Sequence, residues 1–160
     1  MRKHITWVSA TLALALTTVA ACCGTPSTST GSQNASCVNA SAAHHAYLMI
    51  QHAAGGTVQK CVGFTGDTID GQSLMDQSKI EYQSQDYSFG RAVCQIDNEP
   101  AAFTKCFSDA GPWWLLFVDS GGQWTSSQSG YQKVTLHDKE ALGWVFTAAA
   151  SPSPPPTPKA

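Results

Sequence analysis

Residues 111–146 read GPWWLLFVDSGGQWTSSQSGYQKVTLHDKEALGWVF and hold four of the five tryptophans, Trp113, Trp114, Trp124 and Trp144. The spacing predicts three short strands. The first is 113–119, nearly all apolar and closed by Ser120-Gly121-Gly122. The second is 131–137, where Tyr131, Lys133, Thr135 and His137 alternate with Gln132, Val134, Leu136 and Asp138. The third is 141–147, after the polar turn Asp138-Lys139-Glu140. Runs of this length, rich in aromatic and β-branched residues and broken by Gly-Gly, favour sheet over helix.

Upstream, residues 43–52 (AHHAYLMIQH) alternate as a strand, with Ala46, Leu48 and Ile50 on one face and Tyr47 and Met49 on the other. Ala53-Ala54-Gly55-Gly56 turns the chain, and 57–64 (TVQKCVGF) returns as the second strand of a hairpin. Residues 65–71 form a loop in which Asp67 and Asp70 do not have the spacing of an EF-hand; they read as turn and helix-capping acids. The one expected helix is 72–79, with Leu74 and Met75 inward. Residues 80–85 form a strand interrupted at Asp86-Tyr87-Ser88, and 89–97 a better one, followed by an Asn98-Glu99-Pro100 turn. The fold class is therefore α+β: a compact, mainly antiparallel β domain with one short helix packed on the sheet, stabilised by disulfides.

The domain plan has four parts. Residues 1–21 combine a basic start, an apolar run and small residues before Cys22, the pattern of an export signal. Val19-Ala20-Ala21-Cys22 resembles a lipobox, which implies that Cys22 becomes the lipidated N-terminus. Residues 22–41 are a Ser/Thr/Gly-rich tether, 42–147 the folded domain, and 148–160 a Pro-rich tail expected to be disordered. This places the chain on the outer face of a bacterial cytoplasmic membrane, held there by lipid; free secretion is the alternative. Loss of 1–21 lowers Lys plus Arg from 9 to 7 against 11 Asp plus Glu, a mature charge of −4. No basic stripe is left to follow a phosphate backbone, so nucleic acid is excluded as a partner.

Six cysteines in an exported chain point to disulfides. With Cys22 lipidated and Cys23 beside it in the tether, Cys37, Cys61, Cys94 and Cys106 remain. The hairpin-like segment between Cys94 and Cys106 pairs these two, and Cys37–Cys61 follows by elimination. Neither a metal site nor a cofactor is expected. His44 and His45 point to opposite faces of a strand and cannot chelate one ion together, so with His52 they read as exposed edge histidines.

Three segments together resemble the transcobalamin C-terminal-like domain: residues 61–76 (CVGFTGDTIDGQSLMD), 90–107 (GRAVCQIDNEPAAFTKCF), and the quoted 111–146. The resemblance spans residues 57–146 and implies a β-rich domain with one helix on its sheet. Trp113-Trp114 takes the place of an aromatic pair, and Asp138-Lys139-Glu140 that of an Asp-Gly-Asp/Glu turn, with Lys139 standing where the pattern has glycine. In cobalamin carriers this domain covers one side of the corrin and a helical domain the other. These 160 residues offer no counterpart of the helical domain, so the resemblance implies a binding domain without naming its ligand.

The functional expectation is a non-catalytic binding module for a small molecule, glycan or protein, with Trp113, Trp114 and Trp124 as the binding surface and Trp124 the most exposed. The alternatives are a secreted inhibitor presenting 97–105, a structural envelope protein and, less favoured, a hydrolase. For the last, His137-Asp138 are adjacent residues that cannot face one another, and there is no Gly-x-Ser-x-Gly.

Overall fold

The computed structural model describes residues 37–107 and 110–159. Export signal, Cys22, Cys23 and tether residues 24–36 lie outside them. The elements are β1 (His44–Gln51), β2 (Thr57–Phe64), β3 (Ile69–Asp70), α1 (Gly71–Gln77), β4 (Tyr82–Tyr87), β5 (Gly90–Ile96), β6 (Trp113–Ser120), β7 (Gln123–Ser126), a 3-10 turn at Tyr131–Lys133, β8 (Thr135–Leu136) and β9 (Ala141–Thr147). A five-stranded sheet of order β2-β1-β9-β6-β7 is antiparallel except between β1 and β9. Two further pairs, β3–β8 and β4–β5, lie outside that sheet.

Strand alternation decides the two faces. Ala46, Leu48 and Ile50 of β1, Leu142, Trp144 and Phe146 of β9, and Trp114 and Leu116 of β6 belong to one buried cluster, closed by Leu74 and Met75 of α1, Val93 and Ile96 of β5, and Tyr131. Helix α1 is only seven residues long, so this contact rather than propensity holds it. Its start is fixed by Asp70, whose Oδ1 accepts from the Ser73 N–H at 2.9 Å and Oδ2 from the Ser73 hydroxyl at 2.7 Å. Burial acts against ionisation of Asp70, but these donors outweigh it and hold the carboxyl below its usual range.

Three elements differ from expectation. The strand expected at 131–137 is a 3-10 turn followed by the two-residue β8. Tyr131, Val134 and Leu136 are all buried; a 3-10 turn brings positions 131 and 134 onto one side, which strict alternation cannot. A further strand, β7, stands where only a turn was read. Gly121 (φ +62°) and Gly122 (φ +82°) form the two-residue reversal that pairs Ser120 with Gln123. The strand expected at 80–85 runs on through Asp86 and Tyr87, so Phe89 falls in the turn before β5 instead of inside a strand.

Both disulfides form as expected, Cys37–Cys61 with Cα atoms 4.4 Å apart and Cys94–Cys106 with 4.2 Å. They indicate an oxidising, exported location. The fold reaches back to Cys37, because Val38 donates to the Cys61 carbonyl and accepts from Gly63. No helix among the described residues is long and apolar enough to cross a membrane. The tail does not behave as its composition suggested. Pro155 is buried, and Lys159 exchanges two hydrogen bonds with the Gln59 side chain, at 2.6 and 2.9 Å.

Candidate functional site

Where β7 ends and the chain passes to the 3-10 turn, a cleft of about 380 Å³ opens between β6, the β4–β5 turn and residues 126–130. Five aromatic side chains contribute to its walls. Trp114, Trp144 and Tyr131 come from the core side, and Phe89 and Phe107 from the rim, with Arg91 and the hydroxyls of Ser126, Ser127 and Ser129 among the polar groups.

Each group is held by a separate part of the fold. Tyr131 meets Trp144 edge to face, with ring centroids 5.9 Å apart. Trp114 donates its indole N–H to the Glu99 carbonyl at 2.8 Å, and the turn carrying Glu99 is pinned by a 2.6 Å contact between Glu99 Oε2 and His52 Nδ1. At the rim Phe89 stacks on Tyr87 at 5.3 Å, and both lie against Phe107. Phe89 is nevertheless 38% exposed, and among the described residues it is the exposed large hydrophobic side chain.

Arg91 is anchored through Nε to Asp86 Oδ1 at 3.0 Å and through Nη1 to Gln72 Oε1 at 3.1 Å. The hydrogen bond to Asp86 raises its already high pKa, so it is a permanent cation at the cleft wall. Trp144 is 2% exposed and its Nε1 has no acceptor. A buried indole N–H normally finds one, and leaving it unpaired costs about 1–3 kcal/mol.

The three tryptophans expected to form one surface are distributed over two faces. Trp114 lines the cleft, buried to 3%. Trp113 and Trp124 lie on the opposite face of the sheet, Trp113 opposite Thr147 and Trp124 opposite Asp119. Trp124 is half-buried, and its ring meets Pro155 of the tail above Gly143. The cleft residues absent from the sequence reading are Phe89, Arg91, Phe107, Tyr131 and Trp144. Of these, Phe89 carried a usable signal, since an aromatic directly before Gly90-Arg91 marks a turn rather than a strand interior.

His137 and Asp138 are engaged with different partners. His137 is exposed with its N–H on Glu140 Oε2 at 2.8 Å, and Asp138 Oδ1 accepts from the His45 N–H at 2.8 Å. That backbone donor holds the Asp138 carboxyl below its usual range. Among the described residues no group of three or more His, Cys, Asp or Glu side chains is placed to hold a metal ion.

No family model matches the chain, and no curated protein matches it. A crystal structure of a "putative metal binding protein" from Ruminococcus gnavus is similar in fold, with a TM-score of 0.47 and 12% identity, over 65% of this chain and 96% of the other.

Proposed function

We propose that this chain is a non-catalytic binding module of the bacterial envelope, exported, held by lipid at Cys22, and binding a small organic ligand in the aromatic cleft. The observation that carries this reading is the pairing of an exposed, stacked Phe89 with an enclosed Trp144 N–H that has no acceptor, in one cleft. Apolar walls with a few fixed polar groups are the usual make-up of a ligand pocket. A ligand suited to it has a flat apolar face for the aromatics, and negative charge or acceptors for Arg91 and the serines. The resemblance to the transcobalamin C-terminal-like domain is consistent with such a role, and corrinoids belong among the candidates.

The test is a thermal-shift and tryptophan-emission screen of the mature chain against corrinoids, haem, glycans and peptidoglycan fragments. A true cleft ligand loses affinity about tenfold or more with Phe89→Ala, whose side chain is partly exposed and whose loss leaves the fold intact. Binding that ignores both Phe89→Ala and Trp144→Phe puts the ligand elsewhere and removes the cleft from consideration. Anchoring is tested separately: Cys22→Ser should free the protein from the membrane fraction, and an unmodified Cys22 in the mass spectrum of the mature wild-type chain would exclude lipidation.

A further inference from the structure

The face of the sheet turned away from α1 is apolar and largely covered. Tyr47, Met49, Phe117, Ala141 and Val145 on it are all buried. Part of the cover is the tail. Across residues 151–159 burial follows a period of three: Pro155 is buried, Pro152 and Pro158 are half-buried, and Ser151, Ser153, Pro154, Pro156 and Thr157 are exposed. Three residues per turn is the repeat of polyproline II, the form that a proline run adopts because each ring fixes its own φ. One edge of such a rod therefore rests on the protein.

The protein side is shaped for that edge. A Cβ on Gly143 would stand 2.6 Å from Pro155 Cγ and 2.7 Å from Trp124 Cζ3, so the missing side chain leaves the slot into which proline and indole fit. Met49 pairs with both Gly143 and Gln59, which puts Gly143, Met49 and Gln59 in one row across β9, β1 and β2. Two interstrand steps make that row about 10 Å long. The four residue steps from Pro155 to Lys159 span about 12 Å as polyproline II. At the far end the Gln59 amide donates to the Lys159 carbonyl at 2.6 Å and accepts from the Lys159 N–H at 2.9 Å, reading the peptide backbone rather than a side chain.

We propose that this outer face is a binding groove for proline-rich peptides with inward prolines at every third position, and that the chain's own tail fills it as an intramolecular plug. The parts match those of polyproline recognition elsewhere: an aromatic wall at Trp124, a slot at Gly143, and a backbone-reading amide at Gln59. A peptide in trans has to displace a tail whose effective concentration is in the millimolar range, so the groove opens only to a tighter or multivalent partner.

The experiment uses the full mature chain and a fluorescein-labelled peptide of sequence ASPSPPPTPKA, residues 150–160 of this chain, read by fluorescence polarisation. Wild type should not bind it measurably. Pro155→Asp, which places a charge in the slot and frees the tail, should bind it. Adding Gly143→Ala or, independently, Gln59→Ala to Pro155→Asp should weaken that binding about tenfold or more. Gln59 lies on edge strand β2, so its loss leaves the fold intact even where an added Cβ at position 143 does not. Failure of Pro155→Asp to bind the peptide at millimolar concentration overturns the proposal. So does equal binding by wild type and Pro155→Asp, or binding that neither Gly143→Ala nor Gln59→Ala changes. None of these outcomes touches the aromatic cleft, which lies off this face.

Discussion

Asp119 and Trp124 are cross-strand partners on β6 and β7, and both carry an enclosed polar atom, Asp119 Oδ1 and Trp124 Nε1, without a hydrogen-bond partner. Burial pushes the Asp119 carboxyl above its usual range, with Glu140 adding to the rise. The backbone N–H groups of Gly122 and Gln123 offset part of it. The folded chain therefore keeps this proton to higher pH than the unfolded chain does. Stability falls as pH rises from the unfolded value, about 3.9, through the raised folded one, and the cost remains in full above it. Asp119→Asn removes the charge and keeps an acceptor for the turn. It should melt at a higher temperature than wild type at pH 7, with the difference shrinking below about pH 4. An unchanged or lower melting point at pH 7 would mean that Asp119 does not carry this cost.

Lys139 sits at φ +69°, and its N–H bonds to the His45 carbonyl at 2.7 Å. It takes the left-handed conformation that glycine adopts without strain. Lys139→Gly should stabilise the domain by about 0.5–1 kcal/mol, the strain relieved less the added unfolded-state freedom. Lys139→Val should lower stability, since a β-branched residue fits this region worst. Urea midpoints for the two variants should move in opposite directions.

The sheet was legible because its signals are local. Ala46, Leu48 and Ile50 alternate over one short run, and Asp70 lies directly before the helix that it caps. The strand β7 escaped notice because it is four residues with one large apolar side chain, Trp124, and pairing rather than pattern makes it a strand. Of the cleft only single residues were legible, Trp114 as an expected binding residue and Phe89 as the aromatic before Gly90. Phe89, Trp114, Ser127 and Trp144 are far apart in sequence, and they meet because β9 inserts between β1 and β6, a topology that no local pattern encodes. The tail was misjudged for another reason. Proline-rich composition rules out a core segment, but it does not rule out a rod lying on one, and the prolines at 152, 155 and 158 already had the required period.

The two disulfides should differ modestly in weight. Cys94–Cys106 closes a separation of 12 residues and Cys37–Cys61 one of 24. The chain-entropy model gives about 3 and about 3.5 kcal/mol for loops of these sizes. Paired Cys→Ala variants should show that order in urea unfolding. Loss of Cys37–Cys61 should in addition speed hydrogen exchange at Val38, which donates to the Cys61 carbonyl, and at Gly63, which donates to the Val38 carbonyl. Equal exchange with and without that bridge would mean that the segment docks on its own.

Arg91 reaches the cleft at the end of a relay that begins on α1. The Tyr82 hydroxyl donates to Asp76 Oδ1 at 2.6 Å and accepts from Gln72 Nε2 at 2.7 Å, and Gln72 Oε1 accepts from Arg91 Nη1 at 3.1 Å. Burial, then the bond to Asp76 and the neighbouring Tyr131, push the Tyr82 phenol far above its usual range. Tyr82→Phe keeps the ring and its edge-to-face contact with Tyr131, at 6.1 Å, while removing the phenol from a cluster in which Gln72 Nε2 also donates directly to both Asp76 oxygens at 3.0 Å. It should cost about 1.5–3 kcal/mol, the range for a hydrogen bond to a charged acceptor. Gln72 then keeps Asp76 and Arg91 but loses Tyr82, so the Arg91 anchor loosens in part, and an anionic cleft ligand should bind more weakly while a neutral one binds as before. Gln72→Ala provides the control. It removes the last step of the relay and should reproduce the selective loss for anions. A Tyr82→Phe variant that loses stability but leaves both ligand classes unaffected would show that the relay supports only the fold.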